Sequence, residues 1–431
     1  MLKKRLIGRR QFIVSSLAAV ATTMTEKASS GSSIASIAKR PVRFKQDRFC
    51  ISFWVDPPAD AHMDEHYAQI AAANFTVVMG GFGANTPETD KRQLDLCQKH
   101  GLKALVSLQG YEDGAMYGSS KIDEIRQADK FPNHPACWGY TLHDEPNSAI
   151  FPFLRFMVDH LRRSRPGKLG FINLFPNYAS ESQLGERTYE EYVNRFVSEV
   201  NPDVLCMDHY PMMQPNRDMR DDYCANLAVL RKYALARNIP FWNFFNDMPF
   251  DQRYDPTEAQ LRWQVNTSLA YGAKGVLYFC YWTPTGFQKG GAIIALNGRP
   301  THHYEQARRI NAKLKHWGPT LMQLVSEAVY RVPRGADPAT ILNGAPIELT
   351  PGDYLIGVFK HADGRTAVLL NNFSYCYTAW PTVKFAADLN NVVEVDPATG
   401  KEMPVMDDSP NMAGLQLSLD SAEGRLFLIR Q

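Results

Sequence analysis

The sequence predicts a (β/α)8 barrel followed by a small all-β sandwich, and three observations support this fold class. From Phe49 onward, short apolar runs alternate with stretches of helical spacing, eight of each over about 270 residues. The first run ends in Trp54-Val-Asp-Pro-Pro58, without the glycine-rich phosphate turn of a doubly wound sheet. After about Leu324 the helical stretches stop, and short alternating runs separated by turn residues indicate an antiparallel sandwich.

The predicted elements follow this alternation in chain order. The expected barrel strands are Phe49–Val55, Phe75–Gly80, Leu102–Leu108, Cys137–Leu142, Leu169–Leu174, Val204–Met207, Phe241–Phe245 and Gly275–Tyr281. The expected helices are Asp64–Asn74, Thr86–His100, Ser120–Ala128, Phe151–Arg163, Thr188–Val200, Asp222–Arg237, Thr257–Tyr271 and His303–Trp317. Thr188 with Glu191 predicts a capping box, and Asp255 with Pro256 suits a cap and first turn. The expected sandwich strands are Tyr354–Phe359, Thr366–Asn371, Val392–Val395, Leu415–Leu419 and Leu426–Ile429.

Length and composition fit a globular chain with three parts. Its 431 residues leave room for one large and one smaller domain. We expect a signal peptide and linker at 1–46, a catalytic barrel at 47–324 and a C-terminal β-sandwich at 325–431. The balance of 47 basic and 45 acidic residues argues against a nucleic-acid partner. The seven cysteines are scattered, so those within apolar runs are expected to be small core residues: Cys50, Cys137, Cys206 and Cys280.

The N-terminal segment has the features of a Tat-type export signal. Lys3 to Arg5 and the pair Arg9-Arg10 precede an apolar run, Phe12 to Ala21, that is too short to span a membrane. Residues from about 22 to 46 are rich in Ser, Ala and Lys and are expected to form a loose linker. No later run is long enough for a transmembrane helix. We therefore expect a bacterial periplasmic or secreted protein without stable membrane insertion after signal removal.

The carboxyl ends of the barrel strands, which form the barrel mouth, are where this fold carries its chemistry. The residues predicted there are Trp54, Asp56, Met79 to Phe82, Gln109, His143, Asp144, Glu145, Asn173, Asp208, His209, Tyr210, Asn243, Asn246, Asp247, Tyr281 and Trp282. Like charges in a confined mouth repel and resist desolvation, so a purely structural role does not explain the four or more acids. Acids, amides and aromatic platforms together suit the binding and cleavage of a polyhydroxylated ring.

Two segments resemble glycoside hydrolase clan A. Trp138-Gly-Tyr-Thr-Leu-His-Asp-Glu-Pro146 is similar to the fourth-strand motif of that clan, in which Asn-Glu-Pro ends the strand and the Glu is the acid/base. Tyr278-Phe-Cys-Tyr-Trp282 resembles its aromatic eighth strand, where a Trp lies beneath the sugar. The resemblance implies an enzyme that cleaves O-glycosidic bonds in an oligo- or polysaccharide, with Glu145 as general acid/base, and the export signal predicts that this enzyme is exported. It implies no metal or other cofactor.

The sequence departs from the clan pattern at two strand ends. Asp144 stands where the clan has Asn, and strand seven, Pro240–Asp247, lacks the Glu that serves the clan as nucleophile. Asp208 or Asp247 could supply the second carboxylate, so Glu145, Asp144, Asp208 and Asp247 are all candidate catalytic residues. The candidate substrate-binding residues are Trp54, Asp56, Gln109, His143, Asn173, His209, Tyr210, Asn243, Asn246, Tyr281 and Trp282. Burial beside Asp144 and aromatic walls is expected to raise the pKa of Glu145, which must hold a proton near neutral pH.

Two further interpretations stay open. The Asp144-Glu145 pair is also similar to that of hexosaminidases of families 20 and 123, where the Asp orients a substrate acetamido group that acts as nucleophile. A non-catalytic carbohydrate-binding barrel is the other alternative. Successive side chains of a regular strand alternate, so Asp144 and Glu145 can face one site only if the chain turns at the strand end.

Several histidines are given structural interpretations. His143 and His209 each adjoin an acid, and a hydrogen-bonded packing role is favoured over ligand binding for both. His62-Met-Asp-Glu-His66 spells the letters of a zinc-peptidase motif, but no third ligand stands out in the sequence. We therefore expect no metal site. The oligomeric state and the identity of the sugar are left open.

Overall fold

The computed structural model describes residues 41–108, 131, 133–213, 218–287, 291–407 and 411–430. In this part of the chain, eight parallel strands form the barrel: β1 (Cys50–Phe53), β2 (Val77–Met79), β3 (Lys103–Ser107), β4 (Cys137–Asp144), β5 (Leu169–Asn173), β6 (Leu205–Asp208), β7 (Phe241–Asn246) and β8 (Gly275–Phe279). The helices are α1 (Met63–Ala72), α2 (Pro87–Lys99), α3 (Phe151–Ser164), α4 (Glu181–Leu184), α5 (Tyr189–Glu199), α6 (Arg220–Arg237), α7 (Glu258–Ala270), α8 (His302–Met322) and α9 (Pro338–Ile341). The predicted helix Ser120–Ala128 and the predicted site residue Gln109 lie outside the described residues.

The barrel consists of two four-stranded parallel halves that close on each other. Their strand orders are β1-β8-β7-β6 and β2-β3-β4-β5. The halves are joined between β1 and β2, where the Thr76 amide donates to the Ile51 carbonyl at 2.9 Å. On the opposite side, between β5 and β6, the Leu174 amide donates to the Cys206 carbonyl at 2.9 Å. This closure confirms the (β/α)8 barrel predicted from the alternating apolar runs.

Side-chain caps set the starts of several helices. The capping box of Thr188 and Glu191 opens α5 as predicted. Helix α7 begins at Glu258, one residue later than expected, because Thr257 and Gln260 form its capping box. The carboxylate of Asp255, expected at that cap, instead lies 2.8 Å from His303 Nε2 of α8. No helix in the described ranges is long and apolar enough to cross a bilayer.

Aromatic side chains fill the lower part of the barrel interior. The indoles of Trp138 and Trp242 stack with their centroids 5.7 Å apart and their planes 10° apart. Phe44 packs edge-on against Trp138, with centroids 5.0 Å apart, and its amide donates to Asp203 Oδ2 at 3.1 Å. The segment at 42–46 is therefore packed onto the barrel, whereas the sequence predicted a loose linker as far as residue 46. Phe44 is the one buried apolar residue of this mostly polar segment, and so short a pattern gave no sequence signal for the packing.

The C-terminal part contains two antiparallel sheets that face each other. Their strands are β9 (Leu324–Val332), β10 (Ile347–Leu349), β11 (Tyr354–His361), β12 (Thr366–Asn372), β13 (Thr382–Phe385), β14 (Val392–Val395), β15 (Glu402–Pro404), β16 (Leu415–Gln416) and β17 (Gly424–Ile429). The sheet orders are β15-β14-β17-β12-β11-β9 and β10-β13-β16. Side chains from both sheets share one core, including Ile356, Leu370, Val383, Leu415 and Phe427. The predicted all-β sandwich is therefore confirmed as a fold class.

The six-stranded sheet is bonded to the last two long barrel helices. Asn266 of α7 donates its side-chain amide to the Ala422 carbonyl at 2.8 Å, and Asn371 of β12 donates to the Asn266 carbonyl at 3.1 Å. Trp317 of α8 donates its indole N–H to the Val395 carbonyl at 2.9 Å. These buried polar contacts have specific directions, so they fix how the sheet lies on the two helices.

Helix α2 buries a carboxyl group that has no hydrogen-bond partner among the described residues. Asp90 is 1% exposed, and neither of its carboxyl oxygens is bonded. Burial raises the pKa of Asp90 to about 8, and the charge of Asp56 adds to this shift. Gln93 of the same helix and Tyr67 of α1 are also buried with polar atoms that lack a bond. The folded protein therefore favours the protonated, neutral form of Asp90.

We expect Asp90→Asn to stabilise the protein at alkaline pH. The folded protein holds the Asp90 proton up to a pKa of about 8, whereas an unfolded aspartate has a pKa of about 3.9. Stability that is present below about pH 4 is therefore lost as the pH rises towards 8, and the neutral amide removes that loss. Urea unfolding should show equal stability at pH 4 and a gain of about 1–3 kcal/mol for the variant at pH 8.5. Exposed Glu181→Gln on α4 is the control, and parallel pH profiles for wild type and Asp90→Asn would contradict the assignment.

Candidate active site

Three polar side chains meet where β4, β5 and β6 end. Asn173 Nδ2 donates to Asp144 Oδ1 and to Asp208 Oδ1, each at 3.1 Å. The two carboxylate oxygens are therefore no more than about 6 Å apart, because both bond the same nitrogen. Asp144 lies directly opposite Asn173 in the parallel β4–β5 ladder, which places the two side chains on one face. We call Asp144, Asn173 and Asp208 the acid–amide array.

Glu145 follows the array residue Asp144 at a sharp turn of the chain. The β4–β5 register slips between Thr141 and His143, and Glu145 has a φ of 47°, in the left-handed region. A non-glycine residue in that region costs on the order of 1 kcal/mol or more, so the surrounding structure must hold it there. The Glu145 amide donates to the Asn173 carbonyl at 2.9 Å, which pins the turn. The strict alternation of a regular strand therefore ends before Asp144 and Glu145.

Strand β7 places an amide, and no carboxylate, on the interior side of the barrel mouth. Asn246 pairs with Phe279, whose ring belongs to the barrel interior together with Phe244. Its side-chain amide is buried and has no hydrogen-bond partner among the described residues. In the clan A pattern a Glu on strand seven is the nucleophile, whereas the last interior-facing residue of this strand is Asn246.

Asp247, the next residue, lies on the other side of the strand. It is fully buried, neither carboxyl oxygen has a partner in the described ranges, and burial raises its pKa well above the usual range. Its charge also raises the pKa of Tyr278, whose hydroxyl bonds Asn311 Oδ1 of α8 outside the barrel at 2.9 Å. Asp247 is thus placed between barrel and helices, away from the acid–amide array.

Asp56 holds the loop that follows β2. Its carboxylate accepts three backbone N–H bonds, at 2.8 to 2.9 Å, from Phe82, Gly83 and Ala84. A Cβ on Gly83 would lie 1.7 Å from the Pro57 carbonyl oxygen, so only glycine fits at this close approach. Burial raises the pKa of Asp56 to about 6 although the three N–H bonds act in the opposite direction. Both oxygens are engaged by the loop, which shapes one wall of the mouth.

The predicted aromatic residues divide between the two faces of the barrel wall. Trp54 and Tyr210 pack with the interior cluster, and half-buried Trp282 contacts it. Tyr281 is fully buried among the side chains outside the strands and stacks on Phe53 with centroids 4.6 Å apart. Three of the four aromatic candidates are therefore available to the mouth, and Tyr281 is a core residue.

His209 and Asn243 face the helices that surround the barrel. His209 Nδ1 lies 3.0 Å from Asn226 Oδ1 of α6, and complete burial lowers the pKa of His209 to about 4. Asn243 donates to the Tyr223 hydroxyl at 2.6 Å and to Ser268 Oγ at 3.0 Å. These contacts give both residues a packing role, as the sequence favoured for His209. His143 is buried on β4 beside the array.

A group of aromatic rings around Arg253, near Asp208, was not predicted from the sequence. Arg253 lies between β7 and α7 and donates from Nη2 to the Tyr178 hydroxyl at 3.1 Å. Its guanidinium also lies over the ring of Phe250, 4.8 Å from the centroid. Desolvation and the charge of Asp208 raise the pKa of Tyr178 above its usual range, which places this cluster close to the array. Strand-end reasoning misses these residues because they belong to connecting segments.

The zinc-peptidase letters near the start of the barrel do not form a converging site. His62 Nδ1 lies 3.2 Å from Glu65 Oε2 at the surface, while His66 packs edge-on against Trp282. The described residues do contain one group of acid and histidine atoms within 4.8 Å of one another, at Asp255, His302 and His303. Asp255 and His302 are exposed, and the Asp255–His303 contact links the start of α7 to α8.

Comparison with known proteins identifies the fold. No protein-family model matches the chain, and no curated protein matches it in sequence. The chain is similar to a family 42 β-galactosidase from G. stearothermophilus, with a TM-score of 0.63 and 9% identity over 90% of this chain and 99% of that one. It is also similar to a family 39 glycoside hydrolase from Bacteroides cellulosilyticus WH2, with a TM-score of 0.54 and 14% identity over 89% and 81%. These likenesses confirm the barrel with its C-terminal β-domain, the fold that the resemblance to clan A implied.

We expect Asn173→Ala to destabilise the protein more at neutral than at acidic pH. The substitution removes the donor shared by Asp144 and Asp208, whose close carboxylates then repel each other when both are ionised. Urea unfolding should show a loss of about 1–3 kcal/mol at pH 7.5 and a smaller loss near pH 4, where carboxyl groups begin to protonate. Exposed Asn194→Ala on α5 is the matched control. An equal loss at both pH values would show that the shared donor does not offset carboxylate repulsion.

Proposed function

We propose that this protein is a glycoside hydrolase that cleaves O-glycosidic bonds in an oligo- or polysaccharide, with Glu145 as the general acid/base. The observation that supports this most strongly is the acid–amide array beside Glu145 at three successive strand ends. The array keeps Asp208 within about 6 Å of Asp144, the neighbour of Glu145.

In the proposed reaction Asp208 is the nucleophile. Glu145 donates its proton to the leaving oxygen while Asp208 attacks the anomeric carbon, so the glycosidic C–O bond breaks as a glycosyl ester forms. Glu145 then takes a proton from water, which hydrolyses the ester and restores both carboxyl groups. Asp208 is favoured over Asp247 because it is tied to the array, while Asp247 lies on the outer side of β7. Asn173 positions Asp208 and Asp144 by donating to both.

Aromatic residues on the interior side supply the surface for a sugar ring. Trp54, Tyr210 and Trp282 belong to or contact the interior cluster. Apolar C–H faces of a pyranose pack well on such rings, and nearby polar groups bond its hydroxyls. Asn246, buried with an unbonded amide in the described structure, is a suitable partner for a hydroxyl group.

A substrate-assisted hexosaminidase is the second candidate. The observation that favours it is Asn246 at the interior position of strand β7, where a nucleophilic carboxylate is missing. In that mechanism Glu145 keeps its role, and Asp144 orients a substrate acetamido group that attacks the anomeric carbon. Cleavage confined to N-acetylhexosaminides would select this mechanism, whereas cleavage of sugars with a 2-hydroxyl group requires an enzyme nucleophile.

We expect Glu145→Gln to lower kcat by about 10²–10⁴-fold, the usual contribution of a positioned general acid. The amide retains the shape of the side chain but has no proton to donate to the leaving oxygen. The measurement uses a panel of aryl glycosides, including N-acetylhexosaminides, with thermal unfolding to check that the variant is folded. Exposed Glu181→Gln is the matched control. A wild type that binds sugars but cleaves none of the panel would instead identify a carbohydrate-binding barrel.

We also propose that the N-terminal segment, up to the apolar run that ends at Ala21, directs export by the Tat route to the periplasm or the medium. The basic start, the Arg9-Arg10 pair and the short apolar run support this destination. Replacing both arginines with lysines should keep the precursor inside bacterial cells, because the Tat signal depends on the arginine pair. Cell fractionation and immunoblotting measure the outcome. Equal export of wild type and the double variant would contradict the Tat assignment.

A further inference from the structure

The guanidinium group of Arg253 is held in an aromatic cluster at the barrel mouth. Its side chain is only 13% exposed. The guanidinium carbon lies 4.8 Å from the ring centroid of Phe250, 5.5 Å from that of Tyr210 and 5.8 Å from that of Tyr178. Cation–π contacts of this kind stabilise and orient a guanidinium, and they leave its N–H donors available.

The hydrogen-bonding capacity of Arg253 is largely unused in the described structure. A guanidinium has five N–H donors, and one hydrogen bond is present, from Nη2 to the Tyr178 hydroxyl at 3.1 Å. The buried Nε–H has no acceptor among the described residues. Among the described residues, the carboxylate nearest to Arg253 belongs to Asp251, whose Oδ2 is 3.8 Å from Nη1, and the Asp251 side chain is 71% exposed. Such a distant and solvated carboxylate compensates a mostly buried charge poorly.

Arg253 lies on the same side of the barrel as the proposed reaction centre. Its backbone pairs with Met213, which follows the end of β6, and Tyr210 beneath it lies against Phe279 of the barrel interior at 5.3 Å. The charges of Asp208 and Arg253 both act on the hydroxyl of Tyr178. The cation therefore stands above β6 and β7, on the same side of the barrel as the acid–amide array.

We propose that Arg253 binds the carboxylate of a hexuronic acid unit and that the substrate is an acidic glycan. The planar, two-pronged donor edge of a guanidinium matches a planar carboxylate and forms paired, charge-assisted bonds with it. The hydroxyl groups of a neutral sugar would leave the positive charge uncompensated in a desolvated site. The aromatic cluster holds the guanidinium in place before binding, which lowers the entropic cost of these bonds. This assignment rests on the proposed glycosidase function and specifies its substrate class.

Matched acidic and neutral substrates test this assignment on the full chain. The measurement compares kcat/KM between the acidic and the neutral member of three substrate pairs. The pairs are 4-nitrophenyl glucuronides and glucosides, 4-nitrophenyl galacturonides and galactosides, each in both anomers, and polygalacturonate and galactan. We expect the wild type to prefer the acidic member of a cleaved pair by at least about tenfold. Arg253→Gln should lower the acidic-to-neutral ratio by about 10–100-fold, and Arg253→Lys should lower it less. Arg308→Gln, which removes an exposed arginine paired with Glu305 on α8, should leave the ratio unchanged.

Binding measurements separate failure of this assignment from failure of the glycosidase proposal. Calorimetric titration with glucuronate and galacturonate against glucose and galactose needs no turnover. Uronate binding that is lost in Arg253→Gln, in a protein that cleaves no glycoside, would support the carboxylate site and overturn the glycosidase proposal. Equal cleavage of acidic and neutral glycosides, or equal loss on both in Arg253→Gln, would overturn the carboxylate site and leave the glycosidase proposal standing. A wild type that neither binds nor prefers uronates overturns the carboxylate site as well.

Discussion

The barrel mouth is organised around the hydrogen bonds of a single residue, Asn173. Its Nδ2 donates to carboxylates on both neighbouring strands, and its backbone carbonyl accepts the amide of Glu145. Two carboxylates that lie so close together would repel each other in a partly desolvated site, and the shared donor offsets that repulsion. Asn173 thus positions Asp208, the proposed nucleophile, and Asp144, the residue before the proposed acid/base. It also holds the turn that carries Glu145. The proposed chemistry depends on this shared amide more than on any one acid.

The surrounding loops reinforce this arrangement from two sides. Asp56 engages three backbone N–H groups and holds the loop after β2 in place. On the opposite side, Arg253 packs on aromatic rings and brings a positive charge near Asp208. The acid–amide array lies at the ends of β4 to β6 and the cation stands above β6 and β7, so the mouth suits a substrate that carries a negative charge. Buried, directional contacts of this kind position catalytic groups without reorganisation during the reaction.

Much of the fold could be predicted from the sequence, because apolar runs and helical spacing report directly on burial. All eight barrel strands lie where the runs occur, and the strand ends correctly located Asp144, Asn173 and Asp208. Whether other residues face the barrel interior or the surrounding helices could not be predicted, because a shift of one residue along a strand moves its side chain to the opposite face. Asn243, in the middle of β7, and Tyr281, two residues beyond the end of β8, face outward for that reason. The sequence also offers no local signal that Asp56 bonds a loop 26 residues further along the chain.

The stereochemistry of the cleavage reaction tests the central claim most directly. Proton NMR of the first sugar released from an active glycoside identifies its anomeric form before mutarotation. We expect retention of configuration, because attack by Asp208 and hydrolysis of the resulting glycosyl ester each invert the anomeric carbon. Retention would follow from an Asp208 nucleophile and from substrate assistance alike. Inversion would contradict the role assigned to the acid–amide array.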